Sequence, residues 1–64
     1  MSQNFLRKNC KLAKALNDDI FTYKDFADAI GIDHNSFYNW LNGAYDLSYN
    51  KAKQLNNFIN DILE

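Results

Sequence analysis

The sequence predicts an all-α fold, a small bundle of four to five helices forming one domain over residues 1–64. Three observations carry this expectation. Proline is absent and glycine occurs only at positions 31 and 43, so little interrupts a helix and the two glycines mark where helices end. Apolar residues recur every three or four positions in several stretches, and no segment alternates as a strand does. A chain of 64 residues with 47% apolar and 16% aromatic content fills one small core, near the lower size limit for folding without staples.

Taken in order, the first helix is expected over about 4–16. Phe5, Leu12 and Leu16 project onto a narrow apolar stripe flanked by Leu6 and Ala13, with Arg7, Lys8, Lys11 and Lys14 largely away from it. Cys10 reads as an incidental small residue at the edge of this helix. Asn17-Asp18-Asp19 breaks the helix, and Ile20 and Phe21 are expected to tuck into the core. Thr22 then caps a second helix of about 23–30, with Asp25 three residues on in a capping-box arrangement. That helix buries Phe26, Ala27 and Ile30.

The third helix, about 34–42, starts from Asp33, a good N-cap placed against the helix's partial positive charge. It ends at Asn42-Gly43, a left-handed cap. A loop over 44–48 follows, and Ser48 caps a last helix of about 49–63. There Ala52, Leu55, Phe58 or Ile59, and Ile62 repeat at helical spacing. Phe58, Ile59, Ile62 and Leu63 give more apolar area than one small core absorbs, so residues of about 55–63 are the expected surface of a weak homodimer.

The spacing inside residues 26–43 is more specific. Ala27 stands four residues before Gly31, and Phe37 and Trp40 stand six and nine after it. A small residue lets two helices approach, the glycine supplies the positive φ of a tight turn, and the two aromatics lock the second helix onto the first. This is the spacing of a helix-turn-helix. Opposite Phe37, the third helix presents Asn35, Tyr38, Asn39 and Asn42, with His34 and Ser36 at the margins. All six hydrogen-bond and none carries a permanent charge. His34, Asn35, Ser36, Tyr38 and Asn39 are the expected readers of base edges, Asn through its bidentate pairing with adenine. Phosphate contacts fall to neutral donors: Thr22, Tyr23, Asn42 and Tyr45.

Composition bounds the alternatives. The net charge is −1, whereas DNA-binding domains usually carry a basic excess. The charge is polarised, however: residues 1–16 hold Arg7, Lys8, Lys11 and Lys14 with no acid, while the remainder sets three lysines against all eight acids. One end is therefore suited to face phosphate. Asp25, Asp28 and Asp46 read most simply as solvent-facing. A lone cysteine excludes an internal disulfide, and His34 has no second metal ligand at helical spacing, so neither metal nor cofactor is expected. No apolar run approaches the roughly 20 residues of a membrane span, and Met1-Ser2-Gln3-Asn4 lacks signal-peptide design. A cytoplasmic protein with no membrane partner is the expectation.

Residues 12–63 resemble the DNA-binding domain of Cro and lambda-repressor-type regulators of phages and mobile elements. The resemblance rests on Ala27, Gly31, Phe37, Trp40 and Leu41-Asn42-Gly43, followed by a polar loop with Leu47 and a fourth helix. It implies a lambda-repressor-like fold, base contacts from His34, Asn35, Ser36 and Asn39, and a phosphate contact from Asn42. Family members often place Gln where His34 and Tyr23 stand, and the basic N-terminal arm of some relatives is missing. The implied function is sequence-specific binding of an operator in double-stranded DNA, without catalysis. A homodimer on a pseudo-palindrome is implied because one unit reads only about a half-site. The chain ends soon after its last helix, which favours a Cro-like stand-alone regulator over a full repressor. A second reading belongs to another class: the same scaffold binding a protein partner, as an antirepressor or a phage-encoded inhibitor of a host factor. The low charge and the aromatic anchors Tyr38, Tyr45 and Tyr49 favour it. Enzymatic function is not expected, since no phosphate loop, carboxylate pair or nucleophile–base constellation is present.

Overall fold

From the second helix onward, helices start where the capping residues put them. The computed structural model describes residues 3–63 and contains four helices there, with no strand: α1 (Asn4–Leu16), α2 (Tyr23–Ala29), α3 (His34–Leu41) and α4 (Tyr49–Leu63). Met1, Ser2 and Glu64 of the expected domain lie outside the described residues. Thr22 and Asp25 form a reciprocal capping box at the start of α2, and the Asp33 carboxylate accepts from the Asn35 amide at the start of α3. Gly31 and Gly43 take φ of 71° and 90°, the left-handed conformation that lets each short helix stop abruptly. Ser48 Oγ accepts the Lys51 amide at the start of α4. Among the described residues, no helix is long and apolar enough to cross a membrane.

Phe26 lies at the centre of the core, fully buried. Its ring stands edge-on to Phe37 from α3, at 6.3 Å between centroids, and to Phe58 from α4, at 5.4 Å. Ala27 lets α2 and α3 approach, and the core is completed by Cys10, Ala13, Ile30, Trp40, Leu41, Leu47, Leu55 and Ile59. The C-terminus of α2 is satisfied from a distance: Lys51 Nζ donates to the Ile30 carbonyl at 2.9 Å.

The buried face of α1 differs from the one its large apolar residues suggest. Phe5 is 75% exposed, Leu16 66% and Ile20 70%, and Leu12 is also exposed. The helix instead buries Arg7, Cys10 and Ala13, with Leu6 packed beside them. Two small side chains allow α1 to lie close against its neighbours, and Arg7 is admitted because each of its three nitrogens finds an acceptor. Phe21 packs as expected, 5.8 Å from the Phe58 ring, but Ile20 does not.

Arg7 is 8% exposed. Its Nε donates to the Trp40 carbonyl at 2.6 Å, Nη1 to Asn4 Oδ1, and Nη2 to the Tyr45 carbonyl at 2.7 Å and to Asp46 Oδ1 at 3.2 Å. The guanidinium also lies over the Trp40 ring. Gln3 works alongside it, accepting from Trp40 Nε1 and the Leu47 amide and donating to the Leu47 carbonyl. Two residues at the start of the chain thus hold the end of α3 and the following loop.

The expected dimer surface on α4 is largely consumed inside the molecule. Ile59 is 1% exposed, and Phe58 and Ile62 are half-buried against the core; only Leu63 remains exposed. The reason is that α4 packs against both α1 and α2, so a broad face of it is used.

Replacing Arg7 by Ala removes these donors and leaves the Trp40 and Tyr45 carbonyls underpaired, which costs about 2–4 kcal/mol. Arg7→Lys does not restore the loss, because a point ammonium cannot reach acceptors on separate segments as a planar fork does. Urea unfolding of the three proteins measures both effects. Burial pushes the Cys10 thiol from its ordinary 9.0 up to about 12. The folded thiol therefore stays protonated and unreactive toward thiol reagents at pH 8, and reacts only on unfolding. Stability conferred by the raised value is complete below pH 9 and declines as the pH rises toward 12, because the unfolded chain ionises first; alkaline melting of wild type against Cys10→Ala reads the difference.

Candidate functional site

The outer face of α3 follows directly from which residues the inner face buries. Phe37, Trp40 and Leu41 are in the core, so His34, Asn35, Tyr38 and Asn39 point outward and are exposed, with Ser36 half-buried at the margin. Among the described residues, the side chains of Asn35, Asn39 and Asn42 make no hydrogen bond within the chain. Three amides in succession thus hold both donors and acceptors open to a ligand. His34, Asn35, Tyr38 and Asn39 thus share the outward face, and Ser36 lies off it.

An aromatic row at the α2–α3 junction was not legible as a whole. Tyr38 lies between His34, at 4.7 Å between ring centroids, and Tyr23, at 5.5 Å and edge-on. The i, i+4 spacing of His34 and Tyr38 announces half of it; the approach of Tyr23 depends on how α2 crosses α3. Tyr23 packs further against Phe26 and Phe37. Burial, then the neighbouring Cys10, raise its pKa despite the opposing effect of Lys14, so its hydroxyl keeps its proton well into the alkaline range.

Two of the expected phosphate donors are already engaged. The Thr22 hydroxyl and amide both donate to the Asp25 carboxylate, which also puts a negative charge at that position. The Tyr45 hydroxyl donates to the Ser36 carbonyl at 2.6 Å. Local capping and loop closure took donors that composition alone left open. Asn42 remains exposed at the end of α3, and Tyr23 remains half-buried at the start of α2.

Beside Asn42 the fold opens a cleft of about 350 Å³, lined by Asn4, Arg7, Lys8, Lys11, Leu41, Asn42 and Gly43. Lys8 and Lys11 are exposed there. The basic half of α1 is thereby brought to the C-terminal end of α3. The remaining cations are distributed differently: Lys14 bonds to Asp18 and lies near the Tyr23 ring, and Lys51 caps α2. Asp46 faces solvent as expected and is also paired with Arg7. Among the described residues no group of three His, Cys, Asp or Glu side chains is placed to hold a metal ion.

No family model matches this chain, and no curated protein or solved structure matches it either.

Proposed function

We propose that the chain is a sequence-specific DNA-binding regulator of the helix-turn-helix type, Cro-like, that occupies an operator in the cytoplasm without catalysing a reaction. In this reading α2 and α3 are the two helices of the motif, and α3 enters the major groove. The observation that carries it is the outer face of α3, where three side-chain amides stand unpaired beside His34 and Tyr38 on a helix whose other face is locked into the core. Asn35 and Asn39 read adenine edges, His34 and Ser36 contact neighbouring bases, and Tyr38 fixes the approach. Asn42 and Tyr23 meet phosphates from either end. Lys8 and Lys11, in the cleft beside Asn42, supply the cationic contacts that the recognition helix lacks.

One observation favours the protein-partner reading instead. Of the seven basic residues, Arg7, Lys14 and Lys51 are held in bonds within the chain, which leaves few cations for phosphate. Selection of binding sites from random duplex DNA at two salt concentrations separates the readings. Recovery of a motif supports the regulator; recovery of none at either salt assigns the exposed face of α3 to a protein.

Alanine at Asn35 or Asn39 is expected to cost about 1–3 kcal/mol on the selected site and to relax base choice at one position each. The same motif returned by both mutants would remove them from reading. Lys8→Gln and Lys11→Gln are expected to weaken all sequences alike and to reduce the salt slope by about 1 per lysine. Asn42→Ala also weakens all sequences, but leaves the slope unchanged because no charge is lost; titrations across a salt series distinguish the two outcomes.

A further inference from the structure

The largest feature used neither by the core nor by the proposed reading face lies on α1. Phe5, Leu12 and Leu16 share one stripe of the helix, and Ile20 follows in the turn after it, at exposures of 75, 49, 66 and 70%. Together they present roughly 400–500 Å² of apolar surface, at the upper end of what a monomer shows in one patch. In the Phe58–Leu63 segment of α4, Ile59 is buried and Phe58 and Ile62 are half-buried against the core, which leaves Leu63 as its exposed apolar residue.

We propose that this stripe is the contact between two copies of the chain, α1 packed against α1 in antiparallel orientation about a two-fold axis near Leu12 and Ala13. The two ends of the stripe are matched about that point, and Leu12 stands next to it, Ala13 itself being buried. Phe5 lies as far before it as Ile20 lies after it, and the half-buried Asn9 as far before as Leu16 after. An isologous contact requires that symmetry.

Charge selects the same arrangement. Lys8 borders the stripe in the half before the axis, where there is no acid, and the exposed Asp19 lies beyond its other end, Asp18 being paired with Lys14. Lys14, the one cation past the axis, is turned to Asp18 and the Tyr23 ring. Antiparallel pairing sets each basic half beside an acidic end, whereas parallel pairing sets like beside like. An anionic lipid surface would match Lys8 and be repelled by the aspartates. The area is about half of the roughly 800 Å² per partner in a standard interface, so the dimer is weak and depends on concentration. It requires no DNA, so it is tested apart from the regulator reading, with which it shares only Lys8.

Sedimentation equilibrium of the protein without DNA tests this. A monomer–dimer equilibrium in the high-micromolar range is expected, and Leu12→Glu or Leu16→Glu should weaken it roughly tenfold or more. Both sites are exposed, so circular dichroism and melting of the variants should stay as in wild type. Lys8→Glu and Asp19→Lys should each weaken the dimer, and the double variant should recover it. A short bis-maleimide linker should join Leu12→Cys copies and fail on Phe5→Cys copies, since antiparallel helices separate the two Phe5 positions by about 20 Å. The native thiol at Cys10 is buried and does not compete. A protein that stays monomeric at millimolar concentration overturns the proposal, as does linkage through position 5 with none through position 12. Stripe-dependent binding to anionic vesicles by a strict monomer would assign the surface to lipid instead.

Discussion

The C-terminal end of α3 and the loop after it depend on how Arg7 and Gln3 tie the beginning of the chain to them. A guanidinium in a core this small is tolerable only because its donors are matched by the Trp40 and Tyr45 carbonyls, Asn4 and Asp46. Burying a charge without partners costs far more than a single hydrogen bond returns. Once matched, the same group acts at a distance: it closes the C-terminal end of α3 and fixes the loop that follows. Gln3 adds the Trp40 indole and both backbone groups of Leu47 to the same junction. The indole is therefore fixed by polar contacts as well as by packing.

The other end of α3 is set by different means. Gly31 turns the chain between α2 and α3, and Lys51 from α4 satisfies the Ile30 carbonyl where α2 stops. Tyr23 and Phe26 then fill the angle between the two helices. A helix held at both ends and along its inner face has little freedom to turn. Side chains on its outer face consequently present donors and acceptors from fixed positions, which is what selective recognition of a rigid ligand requires.

Cations are the scarce resource in this chain. Three of them stabilise the fold, through Trp40 and the loop, through Asp18, and through the end of α2. Of the four that remain, Lys8 and Lys11 are brought to the cleft beside Asn42 at one end of α3, and Lys24 and Lys53 are exposed elsewhere. Under the proposed function, recognition then leans on hydrogen bonds from neutral side chains, and a second copy of the chain adds affinity without further charge.

The boundaries of all four helices were legible in the sequence to within a residue, and from α2 onward the reason is that capping and positive φ are local chemistry: Thr22 with Asp25, Asp33, Gly31, Gly43 and Ser48 act on their own neighbours. The exposed face of α3 was legible for a related reason, since Phe37 and Trp40 are large enough to define its opposite side. The face of α1 was not. Its big residues Phe5, Leu12 and Leu16 suggested one stripe, and packing chose another through Cys10, Ala13 and Arg7. That choice rests on close approach by small side chains and on acceptors 33 and 38 residues away, neither of which leaves a periodic trace in α1 itself. The surplus apolar surface moved accordingly, from the expected α4 to α1. By itself the sequence determined where helices begin, where they end and what α3 shows to solvent; only the tertiary structure decided which side of α1 is core, because that depends on partners distant along the chain.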